Sequence, residues 1–269
     1  MPRSKPSKEE GLTSPIRPGL ESCGLSVADT TAVLHRVVAG SSVLDLSREI
    51  AQGKLLRKRS SSGRRHVLAA VRRRFLEEPA GLPPIEALSA ALRIFTTPVS
   101  RSQVVLPYLF ASDAGAFEIA TRVVLPRLEP GQKLTKSEVV TRLKAIFAEH
   151  HQRPWGAAVL TRWAEGFLSV LREVGALGRG AKREELLAYS VRAEVFAFHL
   201  WGQYEHGLRG AALHETPFWR LLLLHPPQTR RLIGVVADRG WWKFTSAGGA
   251  DEIVPIHSSL MGWLDVALG

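Results

Sequence analysis

Residues 53–79 read GKLLRKRSSSGRRHVLAAVRRRFLEEP. Val67, Leu68, Val71 and Phe75 recur at helical spacing, so this stretch predicts a helix that opens near Ser62 and closes before Pro79. That apolar stripe decides where the charges go. It sets Arg65 and Arg72 on one flank and Arg74 on the other, with His66, Ala69 and Arg73 outward and small Ala70 beside them. Between Ile50 and Leu76 there is no Asp or Glu, against nine cations of which seven are arginine: Lys54, Arg57, Lys58, Arg59, Arg64, Arg65, Arg72, Arg73 and Arg74. Cations, the hydroxyls of Ser60, Ser61 and Ser62, and Gly63 meet at one helix start, where free backbone N–H groups and the helix dipole favour phosphate.

Other segments repeat the helical period on either side. Val33, Leu34, Val37 and Val38 define a helix stopped by Gly40, and Leu44, Leu46, Ile50, Leu55 and Leu56 suggest a second. Pro83-Pro84 opens a helix running to Phe95, followed by helical segments 101–112 and 114–128. Thr135-Lys-Ser-Glu138 matches a capping box. Val159, Trp163, Phe167, Val170, Leu171 and Val174 form a long amphipathic face ending at Gly175. Two places break the period. Residues 185–191, ELLAYSV, read as a short strand, and Trp241–Ser246 with Glu252–Ile256 flank a glycine turn and read as a β-hairpin. The expected architecture is mainly α: a helical bundle with helix-turn-helix or winged-helix modules and one or two short β-hairpins. Its expected divisions are a disordered basic tail (1–18), an N-terminal helical domain carrying the basic helix-turn-helix (19–130), and a C-terminal helical domain with the hairpin (131–269).

The chain has 269 residues and a formal net charge of +11. Residues 41–78 alone hold ten basic and four acidic residues, whereas 229–269 hold four of each. An excess this concentrated favours a polyanion. A solvated helix face and a membrane-surface helix are the competing readings; the second lacks large apolar residues opposite the cations once the core stripe is used. With one cysteine, Cys23, there is no internal disulfide or multi-cysteine zinc site. No secretory or membrane-spanning stretch is evident, so a cytoplasmic protein is expected.

Catalytic signatures are missing. There is no G-x-x-x-x-G-K-[ST], no G-x-S-x-G and no H-E-x-x-H. His150 and His151 are adjacent and diverge on a helix, while His199 and His206 lack a third ligand. A nuclease would need acids near the cations to hold a metal. The expectation is therefore a protein that is not an enzyme, with no cofactor and no metal site. Of Trp241 and Trp242, strand alternation turns one outward, and a contact role is open to it.

The 53–79 stretch resembles the signature of the BrxA family of BREX phage-defence systems. TRWAEGFLSVLREVGALGRG, VRAEVFAFHLWGQYEHG, TPFWRLLLL and the closing RRLIGVVADRGWWKFTSAGGADEIVPIHSSLMGWL follow in the family's order, so the resemblance spans roughly 19–266. It implies a mainly helical protein that binds double-stranded DNA, has a shape similar to the NusB fold, and works beside a methyltransferase, an ATPase and a phosphatase-like protein. The expected function is a non-enzymatic DNA-binding accessory of antiviral defence. Its alternatives are an RNA-binding NusB-like protein and a scaffold for the methyltransferase and ATPase. Expected phosphate contacts are Lys54, Arg57, Lys58, Arg59, Ser60, Ser61, Ser62, Arg64 and Arg65, extended by Arg72 and Arg73. Arg230, Arg231, Trp241 and Lys243 form a secondary DNA or partner surface.

Overall fold

Side-chain caps and glycine stops account for most helix ends. The computed structural model describes residues 16, 19–20, 24–56, 60–77, 81–248 and 250–267. The first helices are α1 (Val27–Val38), α2 (Val43–Ala51) and α3 (Ser61–Val71), the last continued by a π-helical turn, Arg72–Leu76. Gly40, at φ 90°, takes the left-handed conformation that ends α1 as expected. Ser42 and Asp45 exchange hydrogen bonds across the start of α2, and Ser60 caps α3 by accepting from the Gly63 N–H at 3.1 Å. α2 is shorter than the apolar pattern suggested: it ends at Ala51, and Leu44 is exposed.

The centre follows. α4 (Ile85–Ile94) leads into α5 (Pro98–Ser112), α6 (Ala114–Ile119) with a second π turn (Ala120–Val124), α7 (Lys136–Glu149) and α8 (Ala157–Glu173). At α7 only half of the expected capping box forms. Thr135 accepts from the Glu138 N–H, but the Glu138 carboxylate pairs instead with Arg127 at 2.9 Å. Residues 185–191 are not a strand. The segment is clamped from both sides by single bridges, Lys133 to Glu185 and Leu177 to Leu186, so its backbone partners are loops and no ladder can extend.

α9 (Ala193–Glu205), the one-turn α10 (Ala212–Glu215), α11 (Pro226–Asp238), the hairpin β1 (Trp242–Ala247) and β2 (Ala250–Pro255), and α12 (Leu260–Ala267) complete the chain. β1 and β2 are antiparallel, with Trp242 opposite Pro255 and Ala247 opposite Ala250. The result is mainly α, with one short β-hairpin among the described residues.

One apolar cluster runs from Ile16 to Leu264, across the position where the sequence suggests a boundary at 130. Ile16 is itself buried, inside the stretch expected as a tail; the remainder of 1–15 and 17–18 lies outside the described residues. At the centre, α5 is buried from Ser102 to Phe110 and packs on both α8 and α9. Its polar side chain Gln103 is fully satisfied: the amide donates to Val174 O and Ser190 O and accepts from the Arg192 N–H. That one residue holds the 174–192 connection against the core and places the start of α9. Among the described residues, no helix is long and apolar enough to cross a membrane.

Two glycines test the packing. Gly166 lies inside α8, where a methyl would overlap the Leu20 backbone carbonyl, whereas Gly234 in α11 faces open space. Alanine favours a helix by about 1 kcal/mol over glycine. Urea unfolding should therefore show Gly234→Ala stabilising by about 0.5–1 kcal/mol and Gly166→Ala destabilising by about 1–3 kcal/mol. Equal effects at both sites would contradict the close approach of Leu20.

His199 is fully buried on α9, and burial pushes its pKa down to about 3 despite a hydrogen bond to Val104 O. The unfolded chain protonates it near 6.5, so the folded state loses stability as pH falls from 6.5 towards 3. This group alone should lower the unfolding free energy by about 2 kcal/mol between pH 7 and pH 5. The His199→Gln variant should show a correspondingly flatter pH profile, and an unchanged profile would mean His199 is not the buried neutral group.

Candidate nucleic-acid interface

The expected basic face is sorted by burial into three groups. α3 buries Val67, Ala70 and Val71, and Phe75 in the π turn joins them. Ala70, read from sequence as outward, is thus part of the core. Arg74 follows Val67, Ala70 and Val71 at spacings of seven, four and three, which puts it on the buried face of the helix beside Phe75. Arg74 is 1% exposed and donates to Gly24 O at 2.6 Å, while its Nε and Nη2 have no hydrogen-bond partner among the described residues. Nearby, the Glu173 carboxyl is pushed up by burial; the Ser169 hydroxyl, Arg179 and Arg74 oppose that shift. Arg73, expected outward, is half-buried against Gly19.

Arg64 forms the second group. Its Nη2 donates to Ala51 O at 3.1 Å, on the last residue of α2, and its guanidinium lies over Gly53. A cation at a helix C-terminus satisfies an orphan carbonyl and complements the dipole. Arg64 therefore joins α2 to α3, and its expected role as a free phosphate contact is corrected accordingly. The connection it spans, residues 52–60, is longer than the three or four residues of a usual helix-turn-helix turn.

The third group faces solvent. Lys54, Ser60, Ser61, Ser62 and Arg65 are all exposed; the serines and Arg65 lie at the start of α3, which Arg64 ties to the end of α2, and Lys54 follows that end in the chain. Arg72 is exposed at the other end of the helix, 3.9 Å from Glu77. Around the start of α3 the first-turn N–H of Gly63 is taken by Ser60, and among the described residues no carboxylate pairs with Lys54 or Arg65. On α2, Arg48 pairs with Asp45, whose carboxyl is held low mainly by hydrogen bonds from Ser42. Arg57, Lys58 and Arg59 lie outside the described residues.

At the secondary surface, two of four expectations change. Trp241 is buried at 8% exposure and Trp242 at 1%. Pleat alternation does not apply, because Trp241 precedes β1: it stacks edge-on against Trp263 beneath Arg239, while Trp242 packs on Trp201 and Tyr204. Arg230 bonds Ser246 and Asp251, tying α11 to the hairpin. Asp251 also accepts from His214 at 2.7 Å, and its carboxyl is held low by Ser246 first, then His214 and Arg230. Arg231 and Lys243 are exposed.

Sequence reasoning passed over a second cationic group. Arg172 lies close enough to Arg183 and Arg179 that, after burial, their charge lowers its proton affinity, with Glu184 opposing. Four cations packed into the glycine turn 178–183 and the helix before it were the available signal.

No family model matches the sequence, and no curated protein does. Among solved structures, an uncharacterized protein from Magnetospirillum magneticum shares the fold, at TM-score 0.60 and 14% identity, covering 77% of this chain and 97% of that one.

The sorting by burial is open to measurement. Arg74→Ala leaves a cavity and removes a buried hydrogen bond, so it should cost about 2 kcal/mol or more in urea unfolding. Arg65→Ala, on the solvent side, should stay within about 0.5 kcal/mol. Indistinguishable effects would contradict the inward turn of Arg74.

Proposed function

We infer that this chain binds double-stranded DNA through backbone phosphates, as a non-enzymatic accessory of a bacterial BREX-type antiviral system. The observation that carries the reading is the start of α3: a helix N-terminus with three exposed serines and Arg65, exposed Lys54 shortly before it in the chain, and among the described residues no carboxylate paired with those two cations. Such an end offers directed N–H and O–H donors together with full charges, the combination that suits a phosphodiester. Arg57, Lys58 and Arg59 adjoin it in sequence, and Arg72 extends it along the helix. Arg64 contributes by joining α2 to α3, and Arg73 is half-buried beside Gly19.

The finer fold reading is a helix-turn-helix formed by α2 and α3 and a winged-helix-like unit formed by α11 and the hairpin. α11 packs on β1 and is tied to the hairpin through Arg230, which supports a rigid wing bearing exposed Lys243. That wing serves as a weaker second contact or a surface for other defence components. The family resemblance of the sequence is what points to the antiviral setting.

Binding should be mainly electrostatic. Each neutralised phosphate adds about 0.9 to the slope of log K against log salt, so three to five contacts give a slope between about −3 and −5. Fluorescence anisotropy with a labelled duplex across a salt series measures it. Combined Lys54→Glu and Arg65→Glu should weaken binding by at least about tenfold and reduce the slope by about two. A slope near zero, or stronger binding of structured RNA than of duplex DNA in competition, would overturn the reading.

A further inference from the structure

We propose that the cleft between the start of α9 and the flank of α11 binds a nucleoside phosphate, with the phosphate on Arg192, Arg231 and Arg239 and the organic body against Leu232 and Val235. The cleft has a volume of about 340 Å³ and is lined by those residues. That is the size range of small-molecule sites, which pair an apolar floor with a few placed polar groups. All three arginines are exposed at its rim, and among the described residues none has a carboxylate within ion-pair distance.

These cations are not the overflow of a basic region. Residues 229–269 are balanced in charge, yet two of their four cations, Arg231 and Arg239, face this one cleft. Asp251 is held by His214 and Arg230, and Glu194, the carboxylate that lines the cleft, accepts from the Ser100 hydroxyl at 2.6 Å. Three guanidiniums and one carboxylate line this concavity, a net positive charge that an anion would balance, and the planar forks of arginine match phosphate oxygens.

The frame around them is rigid. Gln103 of α5 accepts from the Arg192 N–H and donates to Ser190 O, which fixes the wall of the cleft and aims the uncapped first turn of α9 at it. Arg239 lies 5.0 Å over the Trp241 ring, which orients its guanidinium. Tyr189 also lines the cleft and is buried, with no hydrogen-bond partner for its hydroxyl among the described residues. A concave site with an apolar floor suits a small anion, whereas a duplex backbone needs an exposed ridge; this site is independent of the one at α3.

Isothermal titration of the full chain with the common nucleoside monophosphates tests the assignment, with inorganic phosphate and a free nucleoside as partial probes. Saturable binding of at least one monophosphate below about 1 mM is expected, with phosphate and nucleoside each at least about tenfold weaker. Arg231→Ala and Arg192→Ala are surface changes that should leave the melting temperature in place and weaken binding by about tenfold or more. Arg65→Glu should leave nucleotide binding unchanged while it lowers duplex affinity, which separates the two sites. Absence of binding at 1 mM, affinity insensitive to Arg192 and Arg231, or displacement of the nucleotide by duplex DNA would each overturn the proposal.

Discussion

A helix that must bury Val67, Ala70, Val71 and Phe75 has little freedom in where it puts its arginines. Once that face is set against α2 and the core, five of the described cations take one of three ends: inward onto a carbonyl, sideways onto a neighbouring helix terminus, or outward into water. Arg74 takes the first, Arg64 the second, and Lys54, Arg65 and Arg72 the third. Desolvating a guanidinium is costly unless its N–H groups are met, and the inward and sideways positions each offer one carbonyl, at Gly24 and Ala51, while Nε and Nη2 of Arg74 have no partner among the described residues. What is left over in solvent is Lys54, Arg65 and the serines, with Arg72 at the other end of α3, and the functional reading depends on the first group.

The same economy of polar groups organises the other half of the molecule. α5 and α9 bring their apolar sides together, and the polar atoms trapped there are placed to tie loops down. Gln103 holds the 174–192 connection, Tyr108 donates to Pro83 O, and Gln203 donates to Gly81 O. Because Arg192 hangs from Gln103, the cleft at the start of α9 is positioned by the core itself. The hairpin is fixed in a similar way, with Asp251 as the shared acceptor for His214 and Arg230 and two tryptophans packed beneath.

Periodicity made the helices around Val33, Val67, Leu88 and Phe167 readable, because each carries a clean stripe next to a cap or a glycine. The hairpin was readable from its glycine turn, with strand ends within two residues of those observed. Three features were hidden for physical reasons. Arg74 stands at core spacing from Val67, Ala70 and Val71, but a charged side chain is seldom buried, so it looked like a flank. ELLAYSV has strand composition, but strand formation depends on a neighbour with a free edge, and its neighbours are loops. The Arg192, Arg231 and Arg239 cleft joins residues up to 47 positions apart, and only tertiary packing brings them together. Of the expected site, the serines, Lys54 and Arg65 form one surface, while Trp241 and Arg230 serve the fold.

The most direct test of the central claim is amide hydrogen exchange of the full chain with and without a saturating DNA duplex at low salt. The account predicts that protection on binding concentrates at the start of α3, over residues 60–66 and the turn before it, with at most weaker protection at the hairpin. Protection confined to the hairpin and α11, with residues 60–66 exchanging as in the free protein, would contradict it.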